Sequence, residues 1–250
     1  MVVFVSAFIL SDSIRRPLKE FFSHFDTLAK SGIEILLFLD ERLKSTPEEI
    51  AIQQYPNVKI VEYITLDTSW YPPDISSIIL PANRNQPKDT LQYITIQLMK
   101  MKFMWDAAAK YTSSEYLAWI DFSIFHMIKD IPFSYKRLNE IANIKLIATH
   151  LISPSPYSGS NPSNLFDNPI WYFAGCFFIG HRLLFQNAYE TQLSLIKEHL
   201  PKITWEVNYW FMMRDKFKIY YGNHDDTILT LPISEFKENH LKNEQENLLE

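Results

Sequence analysis

A chain of 250 residues with 47% hydrophobic and 15% aromatic residues carries enough apolar surface for one large α/β core, and two compact domains would be cramped in it. Its formal charge of -5, with basic residues scattered and paired only in short runs such as Arg15-Arg16, excludes whole-molecule attraction to nucleic acid, so a phosphate-bearing partner has to be small. The single cysteine, Cys176, excludes an intrachain disulfide and a cysteine zinc cluster, and a reducing, cytoplasmic compartment is the natural expectation.

Val2 to Ile9 is rich in β-branched and aromatic residues and reads as the first strand. Met1 to Leu10 lacks a basic leader and runs at once into Ser11, Asp12 and Arg15, so neither a signal peptide nor a membrane span is expected there. Ser11-Asp12-Ser13 offers capping side chains for a helix from Arg16 to Lys30, with Leu18, Phe21, Phe22 and Phe25 at helical spacing. A turn at Ser31-Gly32 leads to Ile33–Leu39, a continuous apolar run suited to a buried parallel strand and ending on Asp40. Thr46-Pro47-Glu48-Glu49 opens a short helix with proline in its first turn, and Val58–Ile64 reads as the third strand.

This alternation of strand and helix is that of a doubly wound sheet. No Gly-x-Gly-x-x-Gly follows Ile9 and no Gly-x-x-x-x-Gly-Lys-Ser/Thr occurs in the sequence, which has only five glycines, so dinucleotide-binding and P-loop chemistry are unsupported. Asp67 to Pro87 is proline-rich, carries Trp70, Tyr71 and Arg84, and reads as a long surface excursion. From Lys88-Asp89-Thr90 a helical pattern continues to about Lys110 and feeds the run Tyr116–Ile120, a buried strand that ends on Asp121.

Beyond it, Phe133–Ile141 is predicted helical and Lys145–His150 a strand. Ser153–Asn168 is dense in Ser, Pro, Asn and Gly, which suits either a lid over a cleft or a plain surface loop. Trp171–Ile179 is strand-like but interrupted by Gly175, a residue that inside a strand often marks a close approach of ligand or backbone. His181–His199 is an amphipathic helix, Val207–Phe211 a buried one, and Phe217–Tyr221 a late strand before the polar turn Gly222 to Asp226. Glu235 to Glu250 alternates in charge and reads as a solvated helix or tail, which leaves 1–234 as the folded domain.

Ligands of open α/β sheets collect outside the carboxyl ends of the strands, so Asp121 is placed to hold a metal or a substrate hydroxyl, with a cap of the next turn as the plain alternative. Together with His224, and with Asp225 and Asp226 beside it, it makes a mixed oxygen and nitrogen set suited to Mn²⁺ or Mg²⁺. A divalent ion on a diphosphate neutralises the leaving group, the common need in sugar transfer. The other reading of His224-Asp225-Asp226 is an ordinary polar turn. Glu206, between Trp205 and Val207, is in an apolar setting that would raise its pKa toward a general base, or is a first-turn helix glutamate. Arg84 and Lys88 are candidates to meet phosphates, or are plain surface charge.

Trp119-Ile120-Asp121-Phe122, preceded by Lys88-Asp89-Thr90-Leu91-Gln92-Tyr93 and followed by Phe173-Ala174-Gly175-Cys176-Phe177-Phe178-Ile179-Gly180, Trp205-Glu206-Val207-Asn208 and Gly222-Asn223-His224, resembles the YibB/HtrL-like family. That family is similar to nucleotide-sugar glycosyltransferases of the GT-A type. The resemblance implies a single GT-A-like α/β domain with a mostly parallel central sheet and helices on both faces. It implies hexosyltransferase-like transfer from a nucleoside diphosphate sugar to a glycan, lipid or protein acceptor, assisted by Mn²⁺ or Mg²⁺.

By position, Asp121 matches the first acid of the metal-binding Asp-x-Asp signature, His224 the late metal ligand, and Glu206 the acid near the acceptor. Arg84, Lys88, Asp89, Asp121, Ser123 and Gly175 fall in the donor-binding segments. Ser123 stands where the signature has a second aspartate, a departure that bears on metal dependence. It also keeps in play a non-catalytic nucleotide- or sugar-binding module of the same fold.

Overall fold

The computed structural model describes residues 1–13, 16–144, 151–153, 164–170, 172–216 and 219–221. Among them lie seven strands, β1 (Val2–Phe8), β2 (Ile35–Asp40), β3 (Val58–Ile64), β4 (Tyr116–Ile120), β5 (Leu151–Ser153), β6 (Phe177–His181) and β7 (Ile219–Tyr221). Seven α-helices accompany them: α1 (Leu18–Ala29), α2 (Pro47–Ile52), α3 (Leu91–Leu98), α4 (Lys100–Asp106), α5 (Ile131–Ala142), α6 (Arg182–His199) and α7 (Glu206–Met212).

The strands form one sheet in the order β3-β2-β1-β4-β6-β5-β7. The β3-β2-β1-β4 block is parallel throughout, and β6 alone runs against its neighbours, pairing antiparallel with β4 and β5. The expected mostly parallel sheet is therefore present, with helices on both faces. The continuous apolar runs of the central strands, as in residues 35–39 and Tyr116–Ile120, make this arrangement possible, because a strand covered on both faces has no solvent side.

In β2, Ile35, Leu37 and Leu39 point to one face while Leu36 and Phe38 point to the other. In β4, Tyr116, Ala118 and Ile120 share the first face, and Leu117 and Trp119 the second. On the first face lie α1 through Phe25 and Leu28 and α5 through Leu138 and Ile141. On the second lie α4 through Met101, Phe103 and Met104, α6 through Phe185 and Ala188, and α7 through Val207 and Trp210.

Local chemistry sets several boundaries. Thr46 caps α2 by accepting from the Glu49 amide, with proline next in line, as that sequence predicts. The cap expected for α1 from Ser11 to Ser13 does not form. The helix starts after Pro17 with no side-chain cap, and Asp12 instead reaches across to the start of α3, accepting from the Thr90 hydroxyl at 2.7 Å while its amide donates to Gln92 at 2.6 Å. Thr90 is itself the cap of α3, so the long predicted helix begins two residues late and leaves Lys88 and Asp89 in the preceding turn. It also breaks at Met99 and ends in a π-helical turn over Ala107–Tyr111.

The excursion over 67–87 is packed down. Ile79 donates to the Pro201 carbonyl at 2.8 Å and accepts from Ile203 at 3.1 Å, and the Asn83 amide donates to Asp167 at 3.2 Å. Beneath it Trp70, Ile94, Leu98, Ile196, Ile203 and Tyr209 form a third apolar cluster. The strand expected over Trp171–Ile179 is shorter and later, because antiparallel pairing with β4 extends only from Phe177 to His181. The run Lys145–His150, residues 154–163 of the second loop, the turn Gly222 to Asp226 and the tail Glu235 to Glu250 lie outside the described residues.

Candidate active site

The chain builds β1, β2 and β3 outward to one edge of the sheet and then returns to lay β4 on the other side of β1. Loops leaving β1 and β4 at their carboxyl ends must therefore diverge, which opens a crevice between them. A cleft of about 390 Å³ occupies that place. One wall comes from the loop after β1, with Ile9, Ser11, Ser13 and Arg16, and the other from the end of β4, with Asp121, Phe122, Ser123 and His126. Lys88, Tyr93, Gln97 and Lys100 from α3, α4 and the turn before them close the back. A shallower depression of about 300 Å³ adjoins it over the ends of β2 and β3, lined by Ile9, Asp40, Arg42, Thr65 and Gln92.

Asp121 leaves β4 as its backbone amide still donates to Cys176 of the β6 approach at 2.9 Å. Its Oδ1 accepts from the Trp119 indole at 2.7 Å and lies 3.2 Å from the Lys100 ammonium. Among the described residues Oδ2 takes no hydrogen bond, and the side chain is 35% exposed at the cleft.

Lys100 joins the parts of this site. It is 4% exposed, and its three donors find Asp121 Oδ1 at 3.2 Å, Glu206 Oε1 at 3.1 Å and the Gly175 carbonyl at 2.7 Å. The Trp119 ring lies beneath it, 5.7 Å from nitrogen to centroid. Burial by itself would lower the Lys100 pKa, but the carboxylates of Asp121 and Glu206 outweigh it and hold the ammonium above the ordinary lysine value. Nearby, burial pushes the Cys176 thiol up to about 12, with the Asp121 charge adding to it. Cys176 is therefore a neutral packing group at neutral pH.

Glu206 is buried, as its Trp-Glu-Val setting predicts, and is the first residue of α7. The surroundings are not wholly apolar, however: its carboxylate faces the Lys100 ammonium and it does not line the cleft. The physical motive for a general base is thus replaced by that of an anion fixing a cation. Gly175 also has a different neighbour from the expected ligand or backbone. A Cβ there would collide with Glu206 Oε1 and come within 3.2 Å of Val207. Since Lys100 pins Glu206, Gly175→Ala should break the Lys100–Glu206 pair and destabilise the fold by about 1–3 kcal/mol, read as a lowered urea midpoint at unchanged slope. A fully stable variant would show that the carboxylate moves aside freely.

Of the other residues expected at the site, Lys88 and Ser123 line the cleft. The Lys88 ammonium sits 5.0 Å from the Tyr93 ring centroid. Arg84 and Asp89 do not line it: Arg84 donates to the Pro81 carbonyl at 3.2 Å within its own turn, and buried Asp89 accepts from the Asn85 amide at 3.0 Å. Their side chains shape the turn that presents Lys88. His224 lies outside the described residues, so its distance to Asp121 is not part of this geometry.

Among the described residues there is no group of three or more His, Cys, Asp or Glu able to hold a metal ion, and Asp121 is the single acid at the cleft. A divalent ion there depends on ligands from elsewhere, His224 or a ligand's own phosphates.

Three cleft residues escape the sequence reading: Lys100, Arg16 and His126. The signal for Lys100 is present, since it falls on the apolar stripe that runs through Ile96, Phe103, Met104 and Ala107, where a lysine needs a buried partner. Arg16 and His126 stand beside elements rather than in a pattern, and carry no such signal.

No protein-family model matches the sequence, and no curated protein matches it. Solved structures show distant similarities to it. A glycosyltransferase involved in glycosylation of the major capsid of PBCV-1 is 12% identical, with a TM-score of 0.46 over 90% of this chain and 81% of its own. The 4-diphosphocytidyl-2C-methyl-D-erythritol synthase from Anaerococcus prevotii is 12% identical, with a TM-score of 0.45 over 96% of this chain and 99% of its own. An active-site mutant of LgtC is 9% identical, with a TM-score of 0.47 over 89% of this chain and 73% of its own.

Proposed function

We propose that this chain is a nucleotide-sugar-dependent glycosyltransferase of the GT-A type, related to the YibB/HtrL-like proteins, which transfers a sugar from a nucleoside diphosphate donor to a glycan, lipid or protein acceptor. The observation that carries the reading is the crevice at the β1/β4 switch point, where one acid, Asp121, faces the cations Arg16, Lys88 and Lys100. Lys100 is neutralised by Asp121 and Glu206 and Arg16 by Glu20, so Lys88, which has no carboxylate partner among the described residues, is the cation best placed for an anion such as a diphosphate, with Arg16 as a second donor and the single acid placed for a hydroxyl or an accompanying cation.

In this reading Lys88 and Arg16 hold the diphosphate, Ser123 borders the sugar, Gly175 acts from behind by accepting from Lys100, and the acceptor hydroxyl attacks the anomeric carbon. The bond to the diphosphate oxygen breaks as the new one forms, the electron pair leaves with the nucleotide, and the hydroxyl's proton passes to the departing diphosphate or to solvent. Asp121 and His224 would hold Mn²⁺ or Mg²⁺, which supplies charge neutralisation to that leaving group when bound. Lys100 keeps Asp121 oriented, because its other two partners anchor it to α7 and to the Gly175 turn. Glu206 serves this orientation rather than the acceptor's proton.

A specific observation also favours a second reading. The Lys100–Asp121 pair satisfies the acid without any metal, and Ser123 adds no charge, which suits a non-catalytic nucleotide- or sugar-binding module. Calorimetric titration with a panel of nucleotide sugars, with and without Mn²⁺, decides between them. The enzyme reading expects a donor that binds in the micromolar range, more tightly with metal, and is slowly hydrolysed. Binding without turnover or metal effect supports the module, and no binding across the panel overturns both.

Among the described residues no helix is long and apolar enough to cross a membrane. Together with the single cysteine, this suits the cytoplasmic location we propose.

A further inference from the structure

His126 projects from the short 3-10 turn after β4, is exposed, and lines the cleft three residues beyond Ser123. Its Nδ1 lies 2.6 Å from the Ser123 carbonyl oxygen, which can only accept, so Nδ1 carries a proton in either charge state. The carbonyl also takes the His126 backbone amide at 3.0 Å, which fixes the ring against its own turn. The variable proton is therefore on Nε2. When the ring is neutral this nitrogen accepts, and when the ring is charged it donates.

The charged groups around it define what it can meet. From α1 come Glu20 and His24, and from the segment before it Arg16, with the His24 ring 6.1 Å from that of His126. Arg16 and Glu20 pair with one another at 3.3 Å, so α1 offers no free anion as a standing partner. Burial, followed by the repulsion of His126, lowers the His24 pKa. On its own strand end stands Asp121, already paired with Lys100, and Lys88 closes the far side of the cleft. Lys129 and Asp130 follow in its own segment as exposed residues.

We propose that His126 is a pH-dependent diphosphate-binding residue: protonated, its Nε2–H donates to a phosphate oxygen of the ligand in the β1/β4 cleft, beside Lys88 and the Glu20-paired Arg16. The inference rests on the nucleotide-sugar reading of the cleft for its ligand and goes beyond it by making affinity depend on the protonation of His126, higher with the ring charged than with it neutral. The consequence is a donor grip that tightens on acidification and loosens toward pH 8.

The test is calorimetric titration of the full chain with UDP-glucose, GDP-mannose and inorganic pyrophosphate at pH 5.5 and pH 8, for the wild type, His126→Gln and His126→Lys. Nucleotide sugars have no phosphate proton to titrate in this range, and the variants correct for that of pyrophosphate. Wild-type affinity for a nucleotide sugar should be about three- to ten-fold higher at pH 5.5 than at pH 8, an advantage of one exposed charge-assisted contact. His126→Gln should lose that ratio and bind at the weaker level at both values, and His126→Lys should bind at the stronger level at both.

Because the ring is exposed, both variants should keep the wild-type melting temperature. Equal pH ratios in the wild type and His126→Gln would overturn the assignment while leaving the nucleotide-sugar reading intact. A ratio seen with pyrophosphate alone would uphold His126 and overturn the sugar donor. No binding of any of the three probes would overturn both.

Discussion

Lys100→Met should lower the stability of the protein by about 3–5 kcal/mol, because it removes the one cation shared by two carboxylates and a carbonyl and leaves them facing one another in the interior. The loss is not the value of the ion pair but the cost of stranding its partners. A second substitution should reveal this: Glu206→Gln added to Lys100→Met removes one stranded charge and should recover part of the loss. The pH dependence has a definite sign. A lysine whose folded pKa lies above its unfolded value contributes stability that is complete below about 10.5 and disappears as pH rises through the folded value. The stability difference between wild type and Lys100→Met should therefore be constant from pH 7 to 10 and shrink above it. Urea titrations at several pH values measure both effects, and a loss below 1 kcal/mol at pH 7 would mean that water replaces the ammonium.

Asp121→Asn should weaken metal-supported donor binding by about 100-fold or more, equivalent to ~2.7 kcal/mol, while the fold survives. Survival is expected because asparagine keeps the size and an Oδ1 that still accepts from the Trp119 indole at the same position. The charge facing Lys100 is lost, but that side chain is 35% exposed and Glu206 remains as the buried counter-ion. A melting temperature within about 4 °C of wild type is the companion result. Unchanged affinity, with and without Mn²⁺, would favour metal-free binding. Collapse of the melting temperature would make Asp121 a structural partner of Lys100 first and a ligand second.

The buried parallel strands were legible because their composition is extreme. Tyr116–Ile120 has the bounds expected of it, since it is an apolar run that stops at Asp121, while Val58–Ile64 keeps its expected bounds as a half-buried edge strand despite Lys59 and Glu62. Asp121 was legible for the same reason, as the first polar residue after such a run. What was not legible depends on contacts far apart in sequence. Lys100 and Glu206 are 106 positions apart, and nothing local to Trp205-Glu206-Val207 announces an ammonium in its apolar pocket. Asp12 reads as a helix cap by sequence, yet bonds Thr90, 78 positions away, because Pro17 delays α1 and leaves the loop after β1 free to lean on α3. Of the strand predicted over Trp171–Ile179, the described residues pair only from Phe177, because the length is set by the partner β4 and not by aromatic content.

A crystal of the protein soaked with UDP- and GDP-sugars and Mn²⁺ tests most directly whether the β1/β4 crevice is a nucleotide-sugar site. The expected result is a diphosphate between Ser11 and Asp121, with Lys88 and Arg16 on its oxygens and Lys100 still bridging Asp121 and Glu206 behind it. A ligand bound elsewhere on the chain, or an empty crevice at donor concentrations that shift the melting temperature, would contradict it.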